Sequence, residues 1–552
     1  MQRISIILVL LIIRTLNAAA QDPGDYRLSK NLVIKNVQII SKAGASPILG
    51  DIVIENGIIT EIGRSTKAPN DAELIQGDSL FAYPSFIDAY SHTAVPKPEK
   101  KEDLPKVKNP GQPGYDRAGI TPNRLVEEQL DITDKSVEEM RKLGFGISHC
   151  VPRGGMISGQ GSIILLTDKN QSPFIKKNIS MNGSMKSARG RIYPSTVIGV
   201  MAKYRDLVTQ ARNSQTHENK YEINPVGLTR PNYDREIQAL YPTLAGKQKY
   251  FMQGEDAKDI HRIIELNNSL KLPLVIAELK DANSALEKIK SNNLTVLVSL
   301  DLPDTIKMEK VDSTKAPDPK REALIKRKQE SISNYHNNTK AIIEKGIPFA
   351  FSFLNVKAKD IPKNLEMIRK TGASEEAVLS ALTTDAAKIL GISNVAGSIE
   401  KGKFGNIILT TGLLFEEDRH IAYNIVEGIA YKNEKKTKNP TKENSEAGSL
   451  SGSWVLVASL GDNDQSGTLV LNEKDGDISG TITSAEGIDS DINDASWHGN
   501  RLSFNFDSEV DQTEVNMQVD VSVSFDSMIG TITIGPLGSF PLEGSKSPSP
   551  KK

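Results

Sequence analysis

Residues 81–92 place, at the end of an apolar run, the residue types that could hold a metal ion. The run reads Phe-Ala-Tyr-Pro-Ser-Phe-Ile-Asp-Ala-Tyr-Ser-His. Two histidines one residue apart at a strand end present both imidazoles on one face, where they can bind a divalent ion that activates water for hydrolysis. Here Tyr90 occupies the first position, and only His92 keeps a nitrogen ligand. The pattern predicts the scaffold of a metal-dependent hydrolase whose metal site is largely erased.

Alternating strands and helices follow this run and predict the element that would position it. Between residues 81 and 394, short apolar strands such as 145–151 and 295–300 alternate with helical stretches. Such alternation predicts an α/β fold with a TIM-like (β/α)8 barrel. In that fold, functional side chains lie at the C-terminal ends of the strands.

Two short β segments flank the predicted barrel. Residues 31–80 alternate as strands broken by the turn Asn56-Gly57, and residues 395–432 form a second strand-rich stretch. Because each piece is too small to bury a core alone, we expect the two to combine in a composite β-sandwich.

The C-terminal part of the chain differs in composition from the barrel. Residues 433–452 are rich in Lys, Asn, Ser, Glu and Gly without an apolar period, which predicts a linker. Residues 453–544 carry strand patterns throughout and predict a separate all-β domain with antiparallel strands. The tail at 545–552 is expected to be disordered.

Residues 1–21 have the layout of a cleavable signal peptide. Arg3 precedes an apolar stretch at residues 4–13, and three alanines precede Gln21. The alternative is an uncleaved anchor. The apolar stretch is about half as long as a membrane span, so we expect export to the periplasm or the extracellular space and no transmembrane segment after cleavage.

The net charge of the chain indicates which classes of partner it can bind. The 68 basic and 69 acidic residues give a formal net charge of -1, which argues against nucleic acid and favours small molecules or proteins as partners.

Cys150 is the only cysteine, so no internal disulfide can form. Its place in an apolar strand predicts a buried thiol rather than a nucleophile.

Several segments resemble sequences of the amidohydrolase superfamily. Residues 83–92 resemble its strand signature, a Pro-Gly-Phe-Ile-Asp stretch that leads into His-x-His. Residues 381–391, followed by 397–403, resemble its exit from the barrel into a β-sandwich. The glycine-rich run 154–161, together with 193–199, resembles a secreted, imidazolonepropionase-like subset. The resemblance implies hydrolysis of a non-peptide carbon–nitrogen bond in a small molecule by a metal-bound water.

The resemblance also implies histidine and aspartate ligands on later strands, and this sequence lacks them. The residues found at those positions are Met252 and Gln253, Ala277 and Glu278, and Ser352 and Phe353. No histidine occurs between His261 and His336. We therefore expect a pseudoenzyme that holds no metal, or one divalent ion, zinc if any, held weakly by His92.

The barrel could still bind a small-molecule ligand. The residues that we expect to contact it are Tyr90, Gly159, Gln160, Gln253 and Glu278. Gly159 and Gln160 lie in the glycine-rich run, which is either a loop that wraps a ligand with backbone amides or an ordinary tight turn.

Two ideas about metal binding stay open. His92 is either a ligand or a polar residue hydrogen-bonded at a strand end. Glu278, Asp301 and Glu255 could supply oxygen ligands to calcium or magnesium, although surface carboxylates are the commoner case.

These observations leave three hypotheses for function. The first is a secreted amidohydrolase-like protein with impaired machinery that binds a small molecule or pairs with an active amidohydrolase relative. The second is an active hydrolase with a reduced mononuclear site at His92. The third is a non-catalytic envelope scaffold in which residues 453–544 provide the working surface.

Overall fold

A computed structural model describes residues 31–97, 107–168, 172–188, 190–303, 319–416, 419–433, 450–460, 463–474, 477–484, 487–498, 501–510, 513–534 and 538–547. The chain divides into two compact units, and the boundary lies between Glu434 and Lys435. The predicted signal peptide at 1–21 and most of the predicted linker and tail lie outside the described residues. Within the described ranges, no helix has the length and apolar character needed to cross a membrane.

The first unit opens with strands of one β-sheet. They are β1 (Leu32–Ile39), β2 (Ile48–Glu55), β3 (Ile58–Gly63), β4 (Glu73–Gln76) and β5 (Phe81–Pro84). β2 pairs antiparallel with β1 and with β3. Asn56 and Gly57 join β2 to β3 with positive φ angles of 52° and 81°. Asparagine and glycine tolerate this conformation best, which explains the pair at this hairpin.

A barrel-like second sheet follows. Its strands are β6 (Phe86–Ser91), β7 (Phe145–Cys150), β8 (Ile157–Leu165), β9 (Phe174–Ser184), β10 (Lys249–Gln253), β11 (Leu274–Leu279), β12 (Thr295–Ser299) and β13 (Phe349–Ser352). Each strand pairs with the next one in chain order. The Phe353 N–H donates to Tyr90 O at 2.9 Å, which holds the end of β13 against β6. Apolar side chains cover both faces, as expected for a sheet enclosed by helices.

Helices connect most of the barrel strands. They are α1 (Lys135–Lys142) before β7; α2 (Val197–Ile223), α3 (Arg235–Gln238) and α4 (Tyr241–Leu244) before β10; α5 (Ala257–Leu270) before β11; α6 (Leu286–Ser291) before β12; α7 (Pro319–Lys345) before β13; and α8 (Ile361–Lys370), α9 (Glu375–Leu382) and α10 (Thr384–Leu390) after it. The side chains of Asp134, Thr196, Asp256 and Ser374 accept hydrogen bonds from the first turns of α1, α2, α5 and α9. These caps fix where the helices begin.

The predicted (β/α)8 pattern is correct as a mixed α/β barrel and wrong in its strict form. β8 runs antiparallel to both β7 and β9, and no helix joins these three strands in the described residues. Residues 151–156 alone connect β7 to β8, and residues 166–173 connect β8 to β9. A parallel return needs a crossover of roughly a dozen residues or more, so such short connections produce an antiparallel meander.

The chain returns to the first sheet after the barrel, in β14 (Ile407–Thr410), β15 (Ile421–Val426) and β16 (Ile429–Lys432). β14 pairs antiparallel with β5, so both flanks of the barrel contribute to one eight-stranded sheet. Ile34 and Ile54 from one flank share a buried core with Ile407 and Ile425 from the other. Hydrogen bonds thus join both flanks of the barrel into one composite sheet, and the sandwich arrangement of that sheet stays a prediction.

The second unit is an antiparallel β-sheet. Its strands are β17 (Gly452–Leu460), β18 (Asn463–Lys474), β19 (Asp477–Ser484), β20 (Asp489–Asp491), β21 (Asn493–His498), β22 (Arg501–Val510), β23 (Thr513–Ser524), β24 (Ser527–Ile534) and β25 (Gly538–Lys546). β20 and β21 lie at opposite ends of the strand order. Because Ile492 alone separates them, they continue as one bent strand that closes the sheet into a ring. Trp454 and Trp497 lie in its buried core.

Candidate functional site

Polar side chains from several strands meet at the C-terminal ends of the barrel strands. This strand-end cluster consists of Tyr90 on β6, Gln253 on β10, Glu278 on β11, Ser299 on β12, Ser352 on β13, and Asn355 just after β13. Parallel strands bring these ends to one edge of the barrel, where functional side chains of such barrels collect.

Glu278 lies at the centre of the strand-end cluster. Its carboxylate accepts hydrogen bonds from Ser299 Oγ and Asn355 Nδ2, both at 2.9 Å, and from Ser352 Oγ. The φ angle of Glu278 is 61°, in the left-handed region, and the register of β11 against β12 shifts at this point. A bulge of this kind re-aims a side chain, here toward its three donors.

Burial controls the protonation of Glu278. The residue has 0% exposed surface, and this burial raises the pKa of its carboxyl group above the ordinary value. The hydrogen bonds from Ser352, Ser299 and Asn355 act in the opposite direction, because they stabilise the charged form. Groups of the protein itself therefore occupy most of the hydrogen-bonding capacity of this carboxylate.

Tyr90 lies in the barrel interior beside this carboxylate. The side chain is fully buried, and its ring stacks on Phe251 with the centroids 5.8 Å apart. Its hydroxyl accepts a hydrogen bond from Gln253 Nε2 at 3.3 Å. Burial raises the pKa of the phenol, so Tyr90 stays protonated and neutral at neutral pH.

The strand-end cluster does not fit the divalent metal that the resemblance implies. A catalytic zinc takes about three protein ligands from imidazoles, thiolates and carboxylates. Among the residues that the structure describes, no three His, Cys, Asp or Glu side chains lie close enough together to hold an ion. Glu278 is the one carboxylate of the cluster, and its oxygens already accept hydrogen bonds from Ser299, Ser352 and Asn355. This donor set suits hydrogen bonding rather than metal binding.

A lysine lies among the carboxylates that could have held a harder ion. Lys280 places its ammonium 3.0 Å from Asp301 and 3.5 Å from Glu255. Burial lowers the pKa of Lys280, but the hydrogen bond to Asp301 and the negative charges around it outweigh burial and leave the pKa raised. The oxygen site suggested for Glu255, Glu278 and Asp301 therefore contains an internal cation.

His92 makes its hydrogen bond outside the strand-end cluster. Its Nδ1 lies 2.8 Å from Val151 O, so Nδ1 donates to this carbonyl and Nε2 keeps its lone pair. Burial lowers the pKa of His92 to about 4, and the positive charges of Arg153 and Lys186 contribute in the same direction. The imidazole is therefore neutral at neutral pH.

Two further groups that could take part in chemistry, an imidazole and a thiol, are buried inside the barrel wall. His149 Nδ1 donates to Ala89 O at 2.9 Å, and its Nε2 accepts from Ser180 Oγ at 2.7 Å. Burial lowers the pKa of His149 to about 4. The thiol of Cys150 is also buried, which raises its pKa and keeps it protonated. Both groups suit a structural role.

Gly159 and Gln160 lie on β8 and take no part in the strand-end cluster. Their segment is a buried strand, so the expected loop or turn is wrong at these positions. Gln160 donates to Pro122 O at 3.1 Å and accepts from Gln248 Nε2 at 3.1 Å. Gly159 has a φ of 124°, and a Cβ there would overlap Arg124 O. Glycine permits this close approach, and ligand contact by the two residues stays a prediction.

Sequence reasoning missed Ser299, Asn355 and Lys280. One signal was present, because Lys280 follows Glu278 by two residues at a predicted strand end. The hydrogen bonds of Glu278, however, join residues that are 21 positions apart for Ser299 and 77 positions apart for Asn355. Spacing along the chain cannot reveal such pairs.

Comparisons with known proteins place this geometry in context. No protein-family model matches the chain. Its sequence is 32% identical to a dihydroorotase from Geobacter metallireducens over 116 residues, which is 21% of this chain and 27% of the relative. It is 28% identical to a dihydroorotase from Geobacter sulfurreducens over 131 residues, which is 23% of this chain and 30% of the relative. The chain thus spans less than a third of the length of these curated relatives.

A solved structure extends the similarity to most of the chain. An amidohydrolase from Thermotoga maritima matches with a TM-score of 0.59 and 20% sequence identity. The match covers 73% of this chain and 100% of that chain. The chain therefore has the fold of that amidohydrolase, and the sequence similarities support the resemblance to the amidohydrolase superfamily.

Proposed function

We propose that the chain is an amidohydrolase-superfamily protein of the imidazolonepropionase-like type whose own hydrolytic activity is absent or impaired. Its inherited reaction is the hydrolysis of a non-peptide carbon–nitrogen bond in a small molecule. Similarity to dihydroorotases supports this reaction class. The barrel then acts by binding a small molecule, alone or together with an active relative.

The hydrogen bonding within the strand-end cluster carries this proposal. Metal-assisted hydrolysis needs neutral imidazoles and carboxylates that converge on one ion and lower the pKa of its bound water. Tyr90 is instead a protonated phenol, and Glu278 is bonded to Ser299 and other neutral donors. The cluster can donate and accept hydrogen bonds to a ligand, but it offers no convergent set of nitrogen and oxygen ligands.

An active hydrolase with a mononuclear site at His92 is the second candidate. The bond from Nδ1 to Val151 O favours it, because metal-bound imidazoles usually donate their other nitrogen to a carbonyl or carboxylate. The positive charges of Arg153 and Lys186 beside the ring oppose a cation at the same place. We therefore prefer the first candidate.

Metal analysis combined with an activity assay tests the choice. Mature protein that is incubated with excess zinc and then desalted should retain far less than one equivalent per chain. It should not hydrolyse a panel of cyclic amides that includes dihydroorotate. The matched control is His261→Ala, which removes an exposed histidine of α5 and should change nothing. Stoichiometric zinc and turnover that both disappear in His92→Ala, but persist in His261→Ala, would establish the mononuclear hydrolase instead.

We further propose that the protein acts in the periplasm or outside the cell. The support is the signal-like pattern of residues 1–21. Protein isolated from fractionated cells should begin near Gln21 and be absent from the cytosol. A cytosolic protein that retains Met1 would contradict export.

A further inference from the structure

Two arginines at the barrel mouth form no ion pair with any residue that the structure describes. Arg124 and Arg153 are half-buried, and within the described ranges no carboxylate lies within 4.0 Å of either guanidinium. Each donates instead to a main-chain carbonyl. Arg124 Nη1 lies 2.9 Å from Arg153 O, and Arg153 Nε lies 3.1 Å from Val95 O.

These contacts place both guanidinium groups at the ends of β6 and β7. Val95 lies in the turn that follows β6, and its N–H donates to His92 O at 2.9 Å. Arg153 follows closely after Cys150, the last residue of β7. The arginines therefore lie at the C-terminal edge of the barrel, the edge that also carries the strand-end cluster.

The charge around His92 is positive. Arg153 and Lys186 both act on its ring and help to lower its pKa. Asp134 acts on Arg153, but its own carboxylate caps α1 by accepting from the backbone N–H of Ser136 at 2.9 Å. A half-buried cation without a counterion is unfavourable, since it loses water without gaining an opposite charge. An anion bound at this place would supply that charge.

We propose that Arg124 and Arg153 bind the carboxylate or phosphate group of a small-molecule ligand at the barrel mouth. This site rests on the proposed function, because it names the class of ligand that the same barrel binds. A guanidinium presents several N–H donors in one plane, and this arrangement matches the oxygens of both anions. The carbonyl contacts use one N–H of each arginine and hold the group in place.

Titration calorimetry of the full mature chain with inorganic phosphate and with propionate tests the site. Sodium chloride keeps the ionic strength constant. One of the two anions should bind with a stoichiometry of one per chain, and the tighter one identifies the ligand chemistry. Arg153→Gln and Arg124→Gln should each weaken that binding about tenfold or more, because each removes a charge-assisted hydrogen bond.

The matched control is Arg212→Gln. Arg212 lies on α2 and also donates to a main-chain carbonyl, that of Leu270. This variant should bind the anion as the wild type does. Arg153→Lys keeps the charge and should retain part of the affinity, which separates a lost charge from a misfolded mouth. Failure of both anions to bind the wild type, or equal weakening by Arg212→Gln and Arg153→Gln, would overturn the site.

A second readout uses the neighbouring imidazole. Anion binding should raise the pKa of His92, as followed by NMR with labelled histidine and assigned with His92→Gln. A missing shift in the presence of bound anion would place that anion elsewhere. None of these binding measurements needs turnover, so a negative result contradicts the anion site alone. Zinc-dependent hydrolysis would contradict the proposed function alone.

Discussion

Glu278→Ala should unfold the barrel unit at a markedly lower denaturant concentration, whereas Glu278→Gln should not. Alanine removes the acceptor for the buried hydroxyls of Ser299 and Ser352 and for the exposed amide of Asn355. Asn355 can bond to water, and Ser352 Oγ lies 3.3 Å from Tyr90 O, a substitute acceptor. The unsatisfied Ser299 hydroxyl and the cavity together should cost about 3 kcal/mol.

Glutamine keeps an acceptor oxygen and removes a charge whose burial is unfavourable. The raised pKa of Glu278 means that the folded protein holds the proton more tightly than the unfolded chain does. Glu278 therefore destabilises the barrel increasingly as the pH rises above 4.5, the ordinary value of the group. Glu278→Gln should remove this pH dependence and change the free energy of unfolding at neutral pH by about 1 kcal/mol or less.

Two intrinsic signals let urea unfolding of each unit be followed separately. Both tryptophans, Trp454 and Trp497, lie in the second unit, and every described helix lies in the first. The helix band of circular dichroism thus reports the barrel, and tryptophan fluorescence reports the β unit. Glu265→Ala, at an exposed position of α5, is the matched control. Equal barrel midpoints for Glu278→Ala and Glu265→Ala, or a loss with glutamine as large as with alanine, would refute the reasoning.

Three further predictions concern buried groups. His149 stays neutral in the folded protein down to a pH of about 4, against 6.5 for the ordinary group, so acidification across this window should cost about 3 kcal/mol of stability. His149→Gln should lose that part of the pH slope in urea titrations, and an unchanged slope would count against it. Cys150 should react with a thiol reagent only after unfolding, so rapid labelling of the native protein would show that the thiol is accessible. Gly159→Ala should cost about 2 kcal/mol more than Gly402→Ala, because both have positive φ but only Gly159 approaches Arg124 O. Equal melting temperatures for these two variants would exclude that close approach.

The strand ends of the barrel could be predicted from local patterns. Tyr90, Gln253, Glu278 and Ser352 each follow a short apolar run, and the structure places all four at one edge of the barrel. The mixed α/β class and the all-β second unit follow from the same periodicity.

These local patterns could not predict the direction of the strands or the partners of the side chains. The residues of β8 do not indicate its direction, and only the short connection at 151–156 indicated that the strand turns back. Arg124 and Arg153 meet because the segment before α1 crosses the end of β7, a contact that neither residue's neighbours in sequence reveal. Non-local hydrogen bonds determine the chemistry of this mouth, and they depend on the folded geometry.

The ring formed by the second unit brings the two ends of its sheet together in one bent strand. An open sheet edge presents a row of free backbone donors and acceptors, to which strands of other molecules readily attach. Joining the ends within the same chain pairs residues 481–483 of β19 and residues in 501–505 of β22 internally. A module built this way adds surface to the protein and leaves fewer backbone groups to which separate copies could attach.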